Sequence, residues 1–464
     1  MRQLTLLAAA LLFIGATSSA ADDVDLYVER QLRNLHIPGL SLAVVRNGRT
    51  VKARGYGLAN IELNVPATPA TVYELGSASK QFTAVAVLLL AEDGKLSLDD
   101  SIAKYFPSAP PAWKPITIRH LLTHTSGIQN HVAVPGYLRV FKMNLMFEAS
   151  PSREELVDMF FKLPIEFEPG ATWSYDNTGY ILLGWIIEQV SGTSYWDFVD
   201  ERLFKPLQMT ATRNTDMRPL IPNRATGYEW VKDRFENRPV LWPFVAFSAG
   251  SFLTTVEDMV KWDAALRNET LLKRPVLERM WKPTRANDGG PASLDYGYAQ
   301  FIETYRGHRL VHHSGGTPGF SSSVHRWVDD GLTVIILTNH SDRMFDQLAL
   351  DIAGLYEPAL RRPLKGGADA RTARVKDVVA RALRGEIDAG DFTPAMQKFL
   401  GTATGKGFWQ WFAAHGELGS FTESDREKTP DGETLRYRVL LGGNAYWLSV
   451  RLTGDGRIAQ IYWW

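Results

Sequence analysis

The run "KQFTAVAVLLLAE", Lys80 to Glu92, constrains the fold more than any other stretch of this chain. As a helix it is apolar around nearly its whole circumference, so no side of it suits water and other elements must wrap it completely. Gly94 marks its end, where a C-terminal glycine is favoured. A buried helix of this kind needs a large surrounding core. The chain has 464 residues, of which 45% are apolar and 22% charged, which is ample material. That length also exceeds one ordinary domain and predicts one large and one small unit. Two polar residues stand at the head of the helix, Ser77 and Lys80, where a lysine is expensive to bury.

The flanking patterns give the rest of the architecture. "LSLAVVRNGRTVKARGYGLA" alternates around Asn47-Gly48, a hairpin signal. Helical and loop segments follow through the middle: "ITIRHLLTHTSG", Glu154 to Leu163, "TGYILLGWIIEQVSG" and "TVEDMVKWDAALRN". Strands return with "GHRLVHHSGG", "FSSSVHRWV", a turn at Asp330-Gly331, and "LTVIILTN". A sheet built from both ends of a domain, with helices inserted between, is an α+β fold. From about Pro363 the texture changes, and "RRPLKGGADART" reads as a linker. Two or three helices and four strands then run to the terminus. Leu435, Tyr437 and Val439 alternate there with Arg436 and Arg438, and turns fall at Gly442-Gly443-Asn444 and Gly454-Asp455-Gly456. The expected division is 1–21 leader, 22–362 main domain, and 363–464 linker plus a small helix-on-sheet domain. The aromatics of that last unit (Phe408, Trp409, Trp411, Tyr446, Trp447, Trp463 and Trp464) suit the lining of a ligand groove or a core, and core packing is the expectation.

Residues 1–21 resemble an export signal: Arg2 supplies charge, Leu4 to Ile14 an apolar stretch, and small residues from Gly15 to Ala21 a cleavage site. It is too short to span a bilayer as a mature anchor, and no other run approaches that length. With no cysteine there are no disulfides and no thiolate metal site. A periplasmic or secreted protein is expected. Lys plus Arg and Asp plus Glu both number 51, so the net charge is zero and nucleic acid is not an expected partner.

Three short motifs carry the chemistry. Ser77 and Lys80 are three apart, so on a helix the amine reaches the hydroxyl. Burial lowers the ammonium pKa toward that of a usable base, and the helix N-terminus favours negative charge near Ser77. Together these describe an activated serine. Ser101 and Lys104 repeat the spacing, but no buried helix lies behind them and they read as surface. In "WSYDNTGYILLGW", Tyr175 and Asn177 point the same way if the segment is extended. The phenol is suited to shuttling a proton, and the Asn177 amide to holding a substrate carbonyl or amide. In "LVHHSGGTPGF" a strand reaches His313, Ser314, Gly315 and Gly316. Its glycines are expected to admit a substrate backbone, and the Gly316 N–H to join that of Ser77 around an oxyanion. His313 and Ser314 are expected to add hydrogen bonds to substrate, with His312 on the opposite side of the strand. His120 and His124 have a zinc-compatible spacing but lack a nearby third ligand, and structural roles are expected. No metal or cofactor is expected. A Gly-x-Ser-x-Gly elbow is absent, which counts against an α/β-hydrolase.

Taken in order, "SASK", "YDN" and "HSG" resemble the three motifs of serine β-lactamases and penicillin-binding proteins. The nearest likeness is to the class C β-lactamase-like branch, with its D-alanyl-D-alanine carboxypeptidases, D-aminopeptidases and esterases. "IPGLSLAVVRNG", "ITIRHLLTHTSGI" and "SAGSFLTTVEDMVKW" support it. The resemblance covers roughly Asp25 to Leu360. It implies an antiparallel sheet flanked by helices with an all-helical insertion. It also implies an acyl-enzyme on Ser77, acid–base work shared by Lys80 and Tyr175, and substrate contact at Asn177. Class C β-lactamases carry Lys-Thr-Gly at the third motif, whereas this chain has His313-Ser314-Gly315. A lysine there is a permanent charge and a histidine is largely neutral, so D-residue peptides and small esters rank above β-lactams as expected substrates. A β-lactamase, or a retired binding protein on the same scaffold, are the alternatives. Gln129 to Phe147 is a candidate lid.

Overall fold

The structure, a computed structural model, describes residues 22–134, 152–216, 218–238, 246–290, 292, 294–341, 345–362, 369–429 and 431–463. The leader at 1–21, positions 135–147 of the candidate lid and linker positions 363–368 lie outside the described residues.

Helix α1 (Asp23–Asn34) opens the described chain, started by a reciprocal cap between Asp22 and Asp25. Strands β1 (Gly39–Arg46) and β2 (Arg49–Asn60) form the expected hairpin. Asn47 and Gly48 at its tip both have positive φ, 50° and 78°, which suits the twist of paired strands. β3 (Val65–Pro66) adds one edge. The other strands come from far along the chain: β4 (Phe301–Tyr305), β5 (His308–Thr317), β6 (Phe320–Trp327) and β7 (Leu332–Thr338). They complete one antiparallel sheet in the order β3-β2-β1-β7-β6-β5-β4, with Leu42 opposite Ile336.

Both faces of this sheet are covered, because its inner strands are apolar on both. Leu42, Val44, Val334 and Ile336 pack toward α1 and toward α5 (Asp346–Tyr356). Ala43, Ile335 and Leu337 face a larger core built around α2 (Lys80–Glu92), α3 (Asn177–Ser191) and α4 (Val256–Arg267). The buried helix read from sequence is α2, enclosed from Lys80 to Leu90, and Gly94 follows it with φ of 68°. The insertion between β3 and β4 also carries two small sheets. One joins Tyr73–Glu74, Phe252–Thr254 and Arg213–Asn214, and the other pairs Tyr228–Val231 with Arg234–Asn237.

Helices α6 (Ala370–Leu383), α7 (Pro394–Gly401) and α8 (Ala403–Ala413) pack on a second antiparallel sheet. Its strands β8 (Leu418–Thr429), β9 (Gly432–Leu441), β10 (Asn444–Thr453) and β11 (Ile458–Trp463) lie in sequence order. Leu435, Tyr437 and Val439 are fully buried, as their alternation predicts. Arg436 is buried too, because Asp425 and Glu427 take its guanidinium at 3.4 Å each. The core of this small domain continues into the large one through Trp173, Tyr296 and Phe301. Among the described residues, no helix is long and apolar enough to cross a membrane.

Candidate active site

Ser77 lies in a 3-10 turn, Gly76–Ser79, that precedes α2, rather than in the α-helix itself. The turn keeps the intended proximity: Lys80 Nζ is 3.2 Å from Ser77 Oγ. The same nitrogen is 2.8 Å from Asn177 Oδ1 and 2.7 Å from the Ala249 carbonyl. Both of those atoms can only accept, so they take two N–H groups of the amine. Complete burial holds Lys80 well below its ordinary pKa, partly opposed by the Asp176 carboxylate. A neutral amine has two N–H bonds and one lone pair. In that form, with both N–H groups committed to the two acceptors, the lone pair is the part of the amine left for the Ser77 hydroxyl proton; a protonated Lys80 would instead donate to Ser77 Oγ.

Tyr175 reaches the same point from the loop before α3. Its ring centroid is 4.8 Å from Lys80 Nζ and 4.3 Å from the His124 ring centroid. Burial, joined by the Asp176 carboxylate and opposed by Ser77, pushes the phenol well above its usual range, so it is protonated. Its hydroxyl is buried near Ser77 but makes no hydrogen bond of normal geometry. Asp176, between Tyr175 and Asn177, caps α3 by accepting from Thr178 N at 2.6 Å and Gly179 N at 3.0 Å. That cap fixes the first turn of α3, from which Asn177 Oδ1 reaches Lys80; Asn177 itself is not among the residues lining the cavity beside Ser77. Asn130 Oδ1 accepts from Asn177 N at 3.2 Å.

Strand β5 closes the other side, and here two expectations change. Gly315 was expected to make room for substrate. A Cβ there would instead meet the Leu75 carbonyl oxygen at 2.0 Å and Ser77 N at 2.9 Å. The glycine lets the turn that carries Ser77 seat on the strand, and Ser322 Oγ ties that turn by donating to the same Leu75 carbonyl at 2.7 Å. Gly316 is the open position, since a Cβ there meets nothing within 4 Å. The second change is Ser314. Its hydroxyl donates to the buried Asp346 carboxylate on the far face of the strand. Ser323 donates to the same oxygen at 2.9 Å. Period-two alternation puts Ser314 on the side of His312 and away from His313. His312 faces that far side as expected, 3.2 Å from Glu303 and 4.7 Å from the ring centroid of His325.

His313 points to the cleft, with Nε2 3.1 Å from Tyr296 OH and Nδ1 2.6 Å from the Ser314 carbonyl. Burial, with the nearby Lys80, pushes its pKa down to about 3, so the ring is neutral. His120 and His124 serve separate local purposes. His120 Nδ1 accepts from Thr117 N in a helix cap, and His124 Nδ1 accepts from Asp176 N at 3.1 Å while its ring backs Tyr175. Ser101 caps a turn, and Lys104 pairs with Asp100 at the surface. Ala249 and Tyr296 were not singled out from sequence. Ala249 acts through its backbone, which no side chain announces, although it lies in the quoted "SAGSFLT".

Ser77, Tyr175, His313 and Gly316 open on one cavity of about 410 Å³. A buried amine with a lowered pKa at a hydroxyl, beside a protonated phenol, is equipment suited to acyl transfer. Residues 24–356 match the beta-lactamase family. The chain belongs to that family. It is 32% identical over 333 residues to Penicillin-binding protein 4* of Bacillus subtilis (strain 168), covering 66% of this chain and 71% of that one. It is 28% identical to Protein flp of Staphylococcus aureus (strain MW2), covering 70% of this chain and 64% of that one, which is less than two thirds of its length. Among solved structures, D-amino acid amidase from Ochrobactrum anthropi SV3, complexed with L-phenylalanine amide, superposes with a TM-score of 0.59 at 27% identity, over 73% of this chain and 97% of that one. The octameric penicillin-binding protein homologue from Pyrococcus abyssi gives 0.63 at 23% identity over 93% of this chain and 96% of that one, a likeness of fold. These relatives support a hydrolase of the beta-lactamase fold.

Proposed function

We propose that this protein is a serine hydrolase that cleaves a small amide or ester through an acyl-enzyme on Ser77. The observation that carries the reading is the Lys80 amine, 3.2 Å from Ser77 Oγ with its other two partners both acceptors. In the first step Ser77 Oγ attacks the acyl carbon and its proton passes to Lys80. The backbone N–H groups of Ser77 and Gly316 receive the oxyanion. The C–N or C–O bond to the leaving group then breaks, and that group takes its proton through Tyr175 from Lys80. Water attacks the resulting ester, gives up its proton by the reverse route, and releases the acid with Ser77 restored. Asn177 keeps Lys80 oriented while its amide N–H groups remain for the substrate.

The neutral His313 favours this reading over a β-lactamase. The β-lactam carboxylate is best held by a permanent cation, and His313 carries no charge at neutral pH. Small esters and D-residue amides therefore rank first as substrates. The resemblance of residues 1–21 to an export signal supports a site of action outside the cytoplasm, in the periplasm or the medium.

A fluorophosphonate probe followed by peptide mass spectrometry tests the assignment. The expected adduct is on Ser77 and is lost, with hydrolysis, in Ser77→Ala. Label on another residue, or hydrolysis surviving Ser77→Ala, overturns it. Nitrocefin turnover at a rate comparable with ester turnover would instead place the protein among the β-lactamases.

A further inference from the structure

The small C-terminal domain supplies about half of the cavity that opens on Ser77. Phe399, Phe408, Trp411 and Phe412 come from α7 and α8, and Tyr462 and Trp463 from β11. Aromatic rings of the large domain continue the same wall, with Trp173 6.1 Å from Phe399 and Phe301 5.4 Å from Tyr462, centroid to centroid. The domain is also fastened to the catalytic loop. Ser174 Oγ donates to Thr402 Oγ1 at 3.3 Å, Thr404 Oγ1 donates to the Tyr175 carbonyl at 3.4 Å, and Ala403 N donates to Glu166 at 2.6 Å. These contacts hold the α7–α8 junction against the backbone that carries Tyr175, so the wall has a fixed distance from Ser77.

The chemistry of that wall is one-sided. Among the described residues lining the cavity there is no Lys, Arg, Asp or Glu, and the single histidine, His313, is neutral. A substrate ammonium or carboxylate placed here would lose its water without gaining a partner, which is strongly unfavourable. An aryl group gains apolar burial and ring contacts. Trp411, 46% exposed, stands at the rim rather than in the core.

We infer that the C-terminal domain forms the specificity wall of the active site, selecting uncharged esters or amides that carry an aryl side group next to the scissile carbonyl. This inference rests on the acyl-enzyme reading of Ser77 and names its substrate class.

Three esters with one leaving group test it on the full chain: N-acetyl-D-phenylalanine, N-acetyl-D-alanine and D-phenylalanine methyl esters. The expected order of kcat/KM puts the neutral aryl ester first, by about tenfold or more over each of the others. Trp411→Ala is expected to reduce the aryl-to-methyl ratio by about tenfold; the rim position makes this change compatible with folding, and circular dichroism checks it. A ratio unchanged in Trp411→Ala and in Phe408→Ala, or a preference for the charged ester, overturns the inference while fluorophosphonate labelling of Ser77 stays intact. Calorimetric binding of the same esters to Ser77→Ala separates the wall from the chemistry. Tighter binding of the neutral aryl ester there supports the wall even if the wild type fails to turn it over, and equal binding of all three overturns it.

Discussion

Gly315→Ala should damage this protein where the neighbouring Gly316→Ala does not, although the two are adjacent in one glycine-rich motif. The added Cβ at 315 would lie 2.0 Å from the Leu75 carbonyl oxygen, against 3.4 Å for ordinary contact, so the gap must open by more than 1 Å. The partner is backbone and cannot swing aside. Leu75 is further held by Ser322 Oγ at 2.7 Å and by its own N–H to the Phe252 carbonyl at 2.8 Å. Overpacking of this kind costs about 1–3 kcal/mol. The larger effect falls on activity. The turn that must move carries Ser77, whose N lies 2.9 Å from the same added atom, and a displacement near 1 Å at a reacting group costs about 100-fold in rate.

Urea denaturation and kcat/KM on a short ester measure the two effects in one preparation. Gly315→Ala is expected to lose about 1–3 kcal/mol and about 100-fold in kcat/KM. Gly316→Ala is expected to keep its stability within about 0.5 kcal/mol, since its Cβ meets nothing. Equal stability of the two variants, with Gly315→Ala retaining full activity, would refute the argument that Gly315 exists to seat the turn that carries Ser77.

Three other outcomes follow from the buried groups. Burial lowers the Lys80 pKa and the proposed base must be unprotonated to act, so kcat/KM should fall with unit slope as pH drops through that lowered value. Lys80→Arg, which cannot give up a proton, should lose about 1,000-fold across the whole pH range, and a retained acid limb would contradict the role. The Glu74 carboxyl is buried and pushed up to about 7, so its favourable contribution is complete below the unfolded value of 4.5 and is lost as pH rises through 7. Glu74→Gln should therefore match the parent near pH 4 and exceed it at pH 8 by up to about 3 kcal/mol, read by urea titration at the two pH values. Asp346→Asn weakens the anchor that Ser314 and Ser323 share on the back of β5 and should cost about 1–3 kcal/mol, with a smaller loss in kcat/KM than Gly315→Ala.

Much of this was readable from the chain because local rules and long-range geometry agree. Asn47-Gly48 makes the turn its dihedrals favour, the fully apolar α2 has no choice but the centre, and the spacing of Ser77 and Lys80 survives even though the turn is 3-10. The misread positions are those where one strand serves two masters. Ser314 and Gly315 are neighbours in a motif, but a strand sends them to opposite faces, one to Asp346 and one to the Ser77 turn. The same alternation that turns His312 away from the cleft turns Ser314 away with it. The Ala249 carbonyl was illegible for a different reason, since any residue offers a carbonyl and only tertiary structure says which one Lys80 meets.

The expensive feature at the head of α2 is thus the product of two separate requirements. A lysine enclosed by apolar side chains would lose its proton anywhere in a core, but deprotonation alone would leave the lone pair undirected. Direction comes from two acceptors that arrive from elsewhere in the chain, Asn177 at the start of α3 and the Ala249 carbonyl before the Phe252–Thr254 strand. Removing either leaves the amine with a single fixed acceptor and an N–H free to turn toward Ser77. The cap on α3 by Asp176 and the packing of that loop against α7–α8 therefore bear on the basicity Ser77 experiences, although neither touches it. The same packing brings the aromatic wall to the cavity, so the element that steadies the loop beside Lys80 also carries the wall that faces Ser77.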